Sequence, residues 1–186
     1  MTLTISKMNE NTKHKIKFSI KDITLVAILA AILFVQEEAF SFIPNVQLTV
    51  FILVLYSKKL GFSKTTLIIC IHVALDNAVM GSFNLFYTPA MFLGWMFIPI
   101  TICTLGGNIE SPIVLAVLGA LLSFIYCWMY IIPNVILLDI NPIAYLITDI
   151  LWEVILAGCS FLSILWLYKP CSKLFDRFYV SNSNKY

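Results

Sequence analysis

Acidic and polar side chains stand inside apolar runs of this sequence, where hydrocarbon is the expected surrounding. Glu37 and Glu38 follow Gln36 in the first apolar run. In a later run His72 precedes Asp76 by one helical turn. Carboxyls at membrane depth are costly unless they face a protein interior or a water-filled cavity. Groups of this kind can bind a solute, or can move protons in general acid–base catalysis.

Two further acids, Asp149 and Glu153, lie on one face of the last apolar helix. Counted along the helices, Asp149 reaches a depth near the outer surface similar to that of Glu37, Glu38 and Asp76, and Glu153 lies one turn deeper. The sequence has no Lys or Arg in this outer part. Their convergence predicts an outward-facing site for a neutral or cationic solute, since anions are repelled unless burial protonates some carboxyls. The alternative is that each acid caps a helix, bonds a neighbouring helix or stays neutral.

The composition excludes a soluble domain. Hydrophobic residues make up 60% of the 186 residues, charged residues only 12%, and the mean hydropathy is +0.93. So few charges cannot cover the surface of a soluble domain of this size. A spanning helix needs about 20 apolar residues, so we predict an all-α membrane protein, a six-helix transmembrane bundle. The predicted spans are 21–43, 47–57, 65–80, 89–105, 112–131 and 143–168.

The basic residues indicate the orientation of this bundle. With six spans, all twelve Lys and Arg fall in the two tails and in the link between spans two and three. The positive-inside rule makes that side cytoplasmic. We therefore expect a multi-pass protein of the cell membrane, with a cytoplasmic tail at 1–20, a membrane domain at 21–170 and a second cytoplasmic tail at 171–186.

The sequence lacks the features typical of nucleotide hydrolysis, metal binding and nucleic-acid binding. The sequence contains no G-x-x-x-x-G-K-[ST] loop, so we expect no nucleotide hydrolysis by this chain. The five cysteines show no metal-ligand spacing, and we expect no metal or other cofactor. The positive charges lie at membrane edges rather than on one binding face, which disfavours nucleic acid as a partner. Aromatic residues near the outer end fit either an interfacial belt or a ligand-stacking wall.

Features of the first and last helices, together with this topology, carry a family resemblance. They are Ala27 and Ala31 four apart in the first helix, the IPNVQLT link at 43–49, and ITDILWEVILAGCSFLSILWLYKP at 147–170. The chain resembles the substrate-binding S component of energy-coupling factor (ECF) vitamin transporters over about residues 20 to 175. The Met-His start of nickel and cobalt members is absent, because residue 2 is Thr.

The resemblance implies capture of a vitamin or related micronutrient from outside. It also implies a membrane coupling subunit, which Ala27 and Ala31 would contact, and two cytosolic ATPase subunits that hydrolyse ATP. Family ligand sites use the external loops and the outer parts of the helices. Residues at those locations, together with the intramembrane acids, are therefore the candidate substrate-binding residues: Glu37, Glu38, Gln47, Asp76, Asn84, Tyr87, Trp95, Trp128, Asn134, Asp149 and Glu153. No residue is expected to be catalytic.

Two alternatives remain. An intramembrane protease of the CAAX type would use Glu37, Glu38 and His72, but that pattern requires an Arg where Phe42 stands and a second intramembrane His. The other His is His14, in the tail. A membrane assembly factor without a solute would leave the grouped acids without an explanation.

Overall fold

The structure, a computed structural model, describes residues 19–79 and 83–183 as helices joined by short links, with no strand in these ranges. The predicted tail before residue 19 lies outside the described residues. The helices are α1 (Ile20–Phe40), α2 (Thr49–Val79), α3 (Tyr87–Thr104), α4 (Pro112–Trp128), α5 (Ile131–Leu138) and α6 (Pro142–Ser183). Within these ranges, five segments are long and apolar enough to cross a membrane, counting α4 and α5 as one. The predicted all-helical membrane class is thereby supported.

Helix α2 contains a sharp break at Gly61, whose backbone angles (φ 76°, ψ −177°) are not helical. Residues 49 and 72 would lie about 35 Å apart on a straight helix. The side chains of Thr49 and His72 nevertheless both approach Oε2 of Glu37, at 3.1 and 3.0 Å. The two parts of α2 therefore fold back on each other at Gly61.

The first part of α2 forms the centre of the molecule. Every residue from 49 to 57 is buried, because α2 packs against α1, α3, α4 and α6. The part of α2 before Gly61, residues 49–60, rises only about 18 Å, less than the roughly 30 Å of a membrane core. Because neighbouring helices surround this part of α2, it need not be long enough to span the lipid by itself.

The polar link predicted between spans five and six contains the short helix α5. Pro133 is its third residue, where the missing backbone N–H leaves no intrahelical bond unmade. Asp139 ends the helix in the left-handed conformation (φ 52°). The residues between the predicted spans five and six are thus helical up to Leu138.

Helix α6 runs beyond the predicted span and through Pro170 to Ser183. The turn around Phe175 packs on the bundle, since the centroid of the Phe175 ring lies 6.5 Å from that of Tyr56. Asp176 forms an ion pair with Lys59, with 2.8 Å between Oδ2 and Nζ. These contacts keep the chain helical where the sequence suggested only a basic tail.

Candidate functional site

A cavity of about 280 Å³ opens at the end of the bundle where α1 stops. Its other walls are formed by the second part of α2, by α3 and α4, by Tyr130 before α5 and by the α1–α2 link. Its lining includes Glu37, Glu38, Asp76, Gln47, Met91, Tyr126, Tyr130 and the link residues 43–46. Three of the predicted acids therefore meet in one concave site. Among the described residues no Lys or Arg lines it.

Glu37 connects three segments of chain at this cavity. Its Oε2 lies 3.1 Å from the Thr49 hydroxyl at the start of α2. The same oxygen lies 3.0 Å from Nε2 of His72, an approach that is close but not aligned as a hydrogen bond. The imidazole of His72 is completely buried. Glu37 is thus held in place while part of its side chain remains exposed.

Hydrogen bonds among polar groups of α1, the α1–α2 link and the start of α2 stabilise the cavity wall. Gln36 donates from Nε2 to the Thr49 hydroxyl at 2.8 Å, and its Oε1 accepts from the backbone N–H of Leu48 at 2.9 Å. The Thr49 hydroxyl has one proton, which it donates either to Glu37 or to Oε1 of Gln47, 2.9 Å away. Gln36, which sequence reasoning did not assign to the site, therefore orients Thr49 beside Glu37.

Tyr126 of α4 and Tyr130, which directly precedes α5, form the aromatic wall. The hydroxyls of Tyr126 and Tyr130 lie 2.9 Å apart, and their rings meet edge to face at 5.4 Å. Behind them Trp95 stacks on Tyr126 with ring centroids 3.7 Å apart. A Cβ at position 94 would collide with the Tyr126 ring, so Gly94 permits this packing. Trp95, predicted to touch the substrate, is completely buried behind the wall and supports it instead.

Three predicted site residues form a hydrogen-bonded rim beside the cavity. Asn84 accepts the backbone N–H groups of Phe86 and Tyr87 at 2.8 and 3.2 Å, which caps the start of α3. The Tyr87 hydroxyl donates to Oδ1 of Asn134 at 2.9 Å and so joins α3 to α5. None of these three side chains is part of the cavity lining.

The remaining predicted residues lie between α4 and α6. Trp128 donates from Nε1 to Oε2 of Glu153 at 3.3 Å. Glu153 is 1% exposed, and its other carboxyl oxygen has no partner among the described residues. Neither Glu153 nor Asp149 lines the cavity. The acids predicted to converge are therefore divided into a group of three and a separate pair on α6.

The opposite end of the bundle gathers basic residues. Nζ of Lys58 donates to the backbone oxygens of Gly106, Gly107 and Ile109 in the α3–α4 link at 2.8–3.0 Å. Lys64 forms an ion pair with Asp22 at the start of α1. These lysines thus lie at one end of the bundle, paired in part with Asp22 and Asp176, and the acidic cavity lies at the other end.

The outward side of α1 carries the predicted contact surface for a coupling subunit. Ala27 and Ala31 are both exposed. Ala31 lines a shallow groove of about 530 Å³ with neighbours from Ile28 to Phe40, and its surface is almost wholly apolar.

No known protein family, curated protein or solved structure matches this chain.

Proposed function

We propose that this chain is a membrane-embedded solute-binding subunit of the ECF S-component type. It captures a vitamin or related micronutrient from outside for uptake driven by ATP hydrolysis on partner subunits. The observation that carries this proposal is the cavity lined by Glu37, Glu38 and Asp76 with Tyr126 and Tyr130. A concave site with an aromatic wall and a few converging polar groups is typical of small-molecule binding.

In this proposal the bundle crosses the membrane six times, with both termini in the cytoplasm. The reversal at Gly61 supports the sixth crossing, because it divides α2 into two antiparallel parts. The contacts of Lys58, Lys59 and Lys64 gather the start of α1, the α3–α4 link and the end of α6 at one basic end. The positive-inside rule assigns that end to the cytoplasm, which leaves the acidic cavity facing outward.

The partners in this proposal are a membrane coupling subunit and two cytosolic ATPases. The exposed apolar face with Ala27 and Ala31 is where the coupling subunit would pack, since small residues let helices approach closely. An Ala31→Leu substitution should then spare solute binding by the isolated chain but reduce uptake by the assembled complex.

A binding screen tests the proposal. The purified chain is incubated with vitamins and examined by thermal shift and native mass spectrometry, and co-purification with an ECF ATPase module is assayed in parallel. Tight retention of one small solute supports the proposal. Absence of any ligand together with absence of association overturns it and supports the assembly-factor alternative.

The contact between Glu37 and His72 favours a second candidate, intramembrane proteolysis. A carboxylate beside an imidazole can activate water. The CAAX-type pattern also requires a second intramembrane histidine, whereas the other histidine of this chain, His14, falls in the predicted tail, outside the described residues. Peptide cleavage that disappears in the Glu37→Gln variant would support the protease, whereas solute binding without cleavage supports the transporter subunit.

A further inference from the structure

The cavity is lined by acidic side chains whose negative charge no neighbouring Lys or Arg neutralises within the described residues. Glu37, Glu38 and Asp76 share one concave wall, and no described Lys or Arg contacts it. Carboxylates placed together in a half-buried site repel one another unless protons or a cation neutralise them. The compensating charge must therefore be a proton or part of the bound molecule.

Buried polar atoms at the same site lack partners within the described part of the chain. His72 is 0% exposed, its Nδ1 has no hydrogen-bond partner, and its Nε2 points at Glu37 without an aligned bond. Oε1 of Glu38, in the cavity wall, is also buried and unpartnered. Such atoms are rare in native proteins and call for an explanation. A ligand that donates hydrogen bonds to Glu37 and Glu38 would give these carboxyl oxygens partners. It would also hold Glu37 in its position beside His72.

The arrangement suits an organic cation better than a metal ion. Within residues 19–79 and 83–183, no three His, Cys, Asp or Glu side chains are placed to hold one ion. The acids are instead distributed around a cavity of about 280 Å³, room for a small ring-containing molecule. The faces of Tyr126 and Tyr130 can attract a cation electrostatically and cover an apolar body.

We propose that this cavity binds an organic cation, a protonated or quaternary amine on a small aromatic or aliphatic body. The positive charge is held by Glu37, Glu38 and Asp76, and the body lies against Tyr126 and Tyr130. This inference rests on the proposed solute-binding function and narrows it from any neutral or cationic micronutrient to a cation.

A series of compounds with one ring and different charge tests the inference. Pyridoxamine, pyridoxine and 4-pyridoxate carry an ammonium, a neutral hydroxymethyl group and a carboxylate. They are titrated into the purified chain by calorimetry, together with thiamine and choline as cations and riboflavin and biotin as comparisons. We expect a cation to bind, with an affinity at least about tenfold above that of a neutral analogue, because charge-assisted hydrogen bonds discriminate by this amount or more.

Matched variants assign the effect to the cavity. Glu38→Gln preserves shape and removes one charge, and it should weaken cation binding about tenfold to a hundredfold. Asp139→Asn removes a charge from the α5 end outside the cavity lining and should leave the affinity within twofold. Thermal unfolding of both variants shows whether they remain folded.

The outcomes separate this inference from the function on which it rests. Preferential binding of a neutral or anionic solute retains the solute-binding function and overturns the cation assignment. Equal affinity for pyridoxamine and pyridoxine means that protons neutralise the acids, and it overturns the assignment as well. If no compound binds at all, the proposed function and this inference are both overturned.

Discussion

Nε2 of His72 lies 3.0 Å from Oε2 of Glu37, and this contact joins the end of α1 to the second part of α2. The contact holds the Glu37 carboxyl at the cavity, where the carboxyls of Glu38 and Asp76 repel it. The same contact requires α2 to reverse direction at Gly61. One pair of residues therefore connects the topology of the bundle with the chemistry of its site.

The Glu37–His72 contact predicts an energetic coupling. Glu37→Gln and His72→Leu should each lower stability, and the double variant should differ from the sum of the two by about 0.5–3 kcal/mol. Unfolding in mixed detergent measures this cycle. The distant pair of His72→Leu and Asp139→Asn is the control and should be additive. Additivity of Glu37 and His72 would show that the contact contributes nothing.

The reversal at Gly61 predicts an intolerance to side chains. Gly61 combines a positive φ with extended ψ, a conformation that costs other residues about 1–3 kcal/mol. Gly61→Ala should therefore lower the melting temperature although nothing lies within 4 Å of the added Cβ. Gly158→Ala, in open space on helix α6, should leave the melting temperature unchanged or raise it. Equal effects of the two substitutions would contradict the reversal.

The α4–α6 interface predicts a specific rescue. A Cβ at position 119 would overlap Cδ1 of Ile164, so Gly119→Ala should destabilise the bundle. Ile164→Val removes Cδ1 and should restore part of the loss when combined with Gly119→Ala. Thermal unfolding of the two single variants and the double variant measures this. A double variant less stable than Gly119→Ala alone would contradict the packing between α4 and α6.

The proposed orientation predicts the accessibility of two engineered thiols. In a chain whose five cysteines have been replaced, Asp139→Cys should react with a membrane-impermeant maleimide on intact cells, and Lys173→Cys should react only after lysis. These positions lie at the acidic and the basic ends of the bundle. Labelling of Lys173→Cys on intact cells would reverse the orientation.

Much of the helical framework follows from the sequence, and the details of the site follow only in part. Apolar runs predicted α1 and α3 closely, because Pro44 and Gly106 mark where the helices cannot continue. Pro133 falls in the link between the predicted spans five and six, yet it lies in the first turn of α5, a position that tolerates proline. Helix α6 extends past Pro170 through tertiary contacts that no local pattern encodes.

The acids of the site were found because polar residues stand out in an apolar run. Their division into two groups was not, because it depends on how α6 is rotated against α4, and periodicity does not fix that rotation. The aromatic residues near the outer end were predicted only as a group, and Tyr126 and Tyr130 were not singled out. Their i, i+4 spacing places both on one helical face, and it was the available signal that they form one wall.

Comparison of two acids tests the central claim most directly. Asp76 lines the cavity, whereas Asp149 lies outside its lining. For the solute that the purified chain retains, calorimetry should show that Asp76→Asn weakens binding at least about tenfold, while Asp149→Asn leaves it within twofold. Unchanged binding by Asp76→Asn, or a loss confined to Asp149→Asn, would contradict solute capture in this cavity.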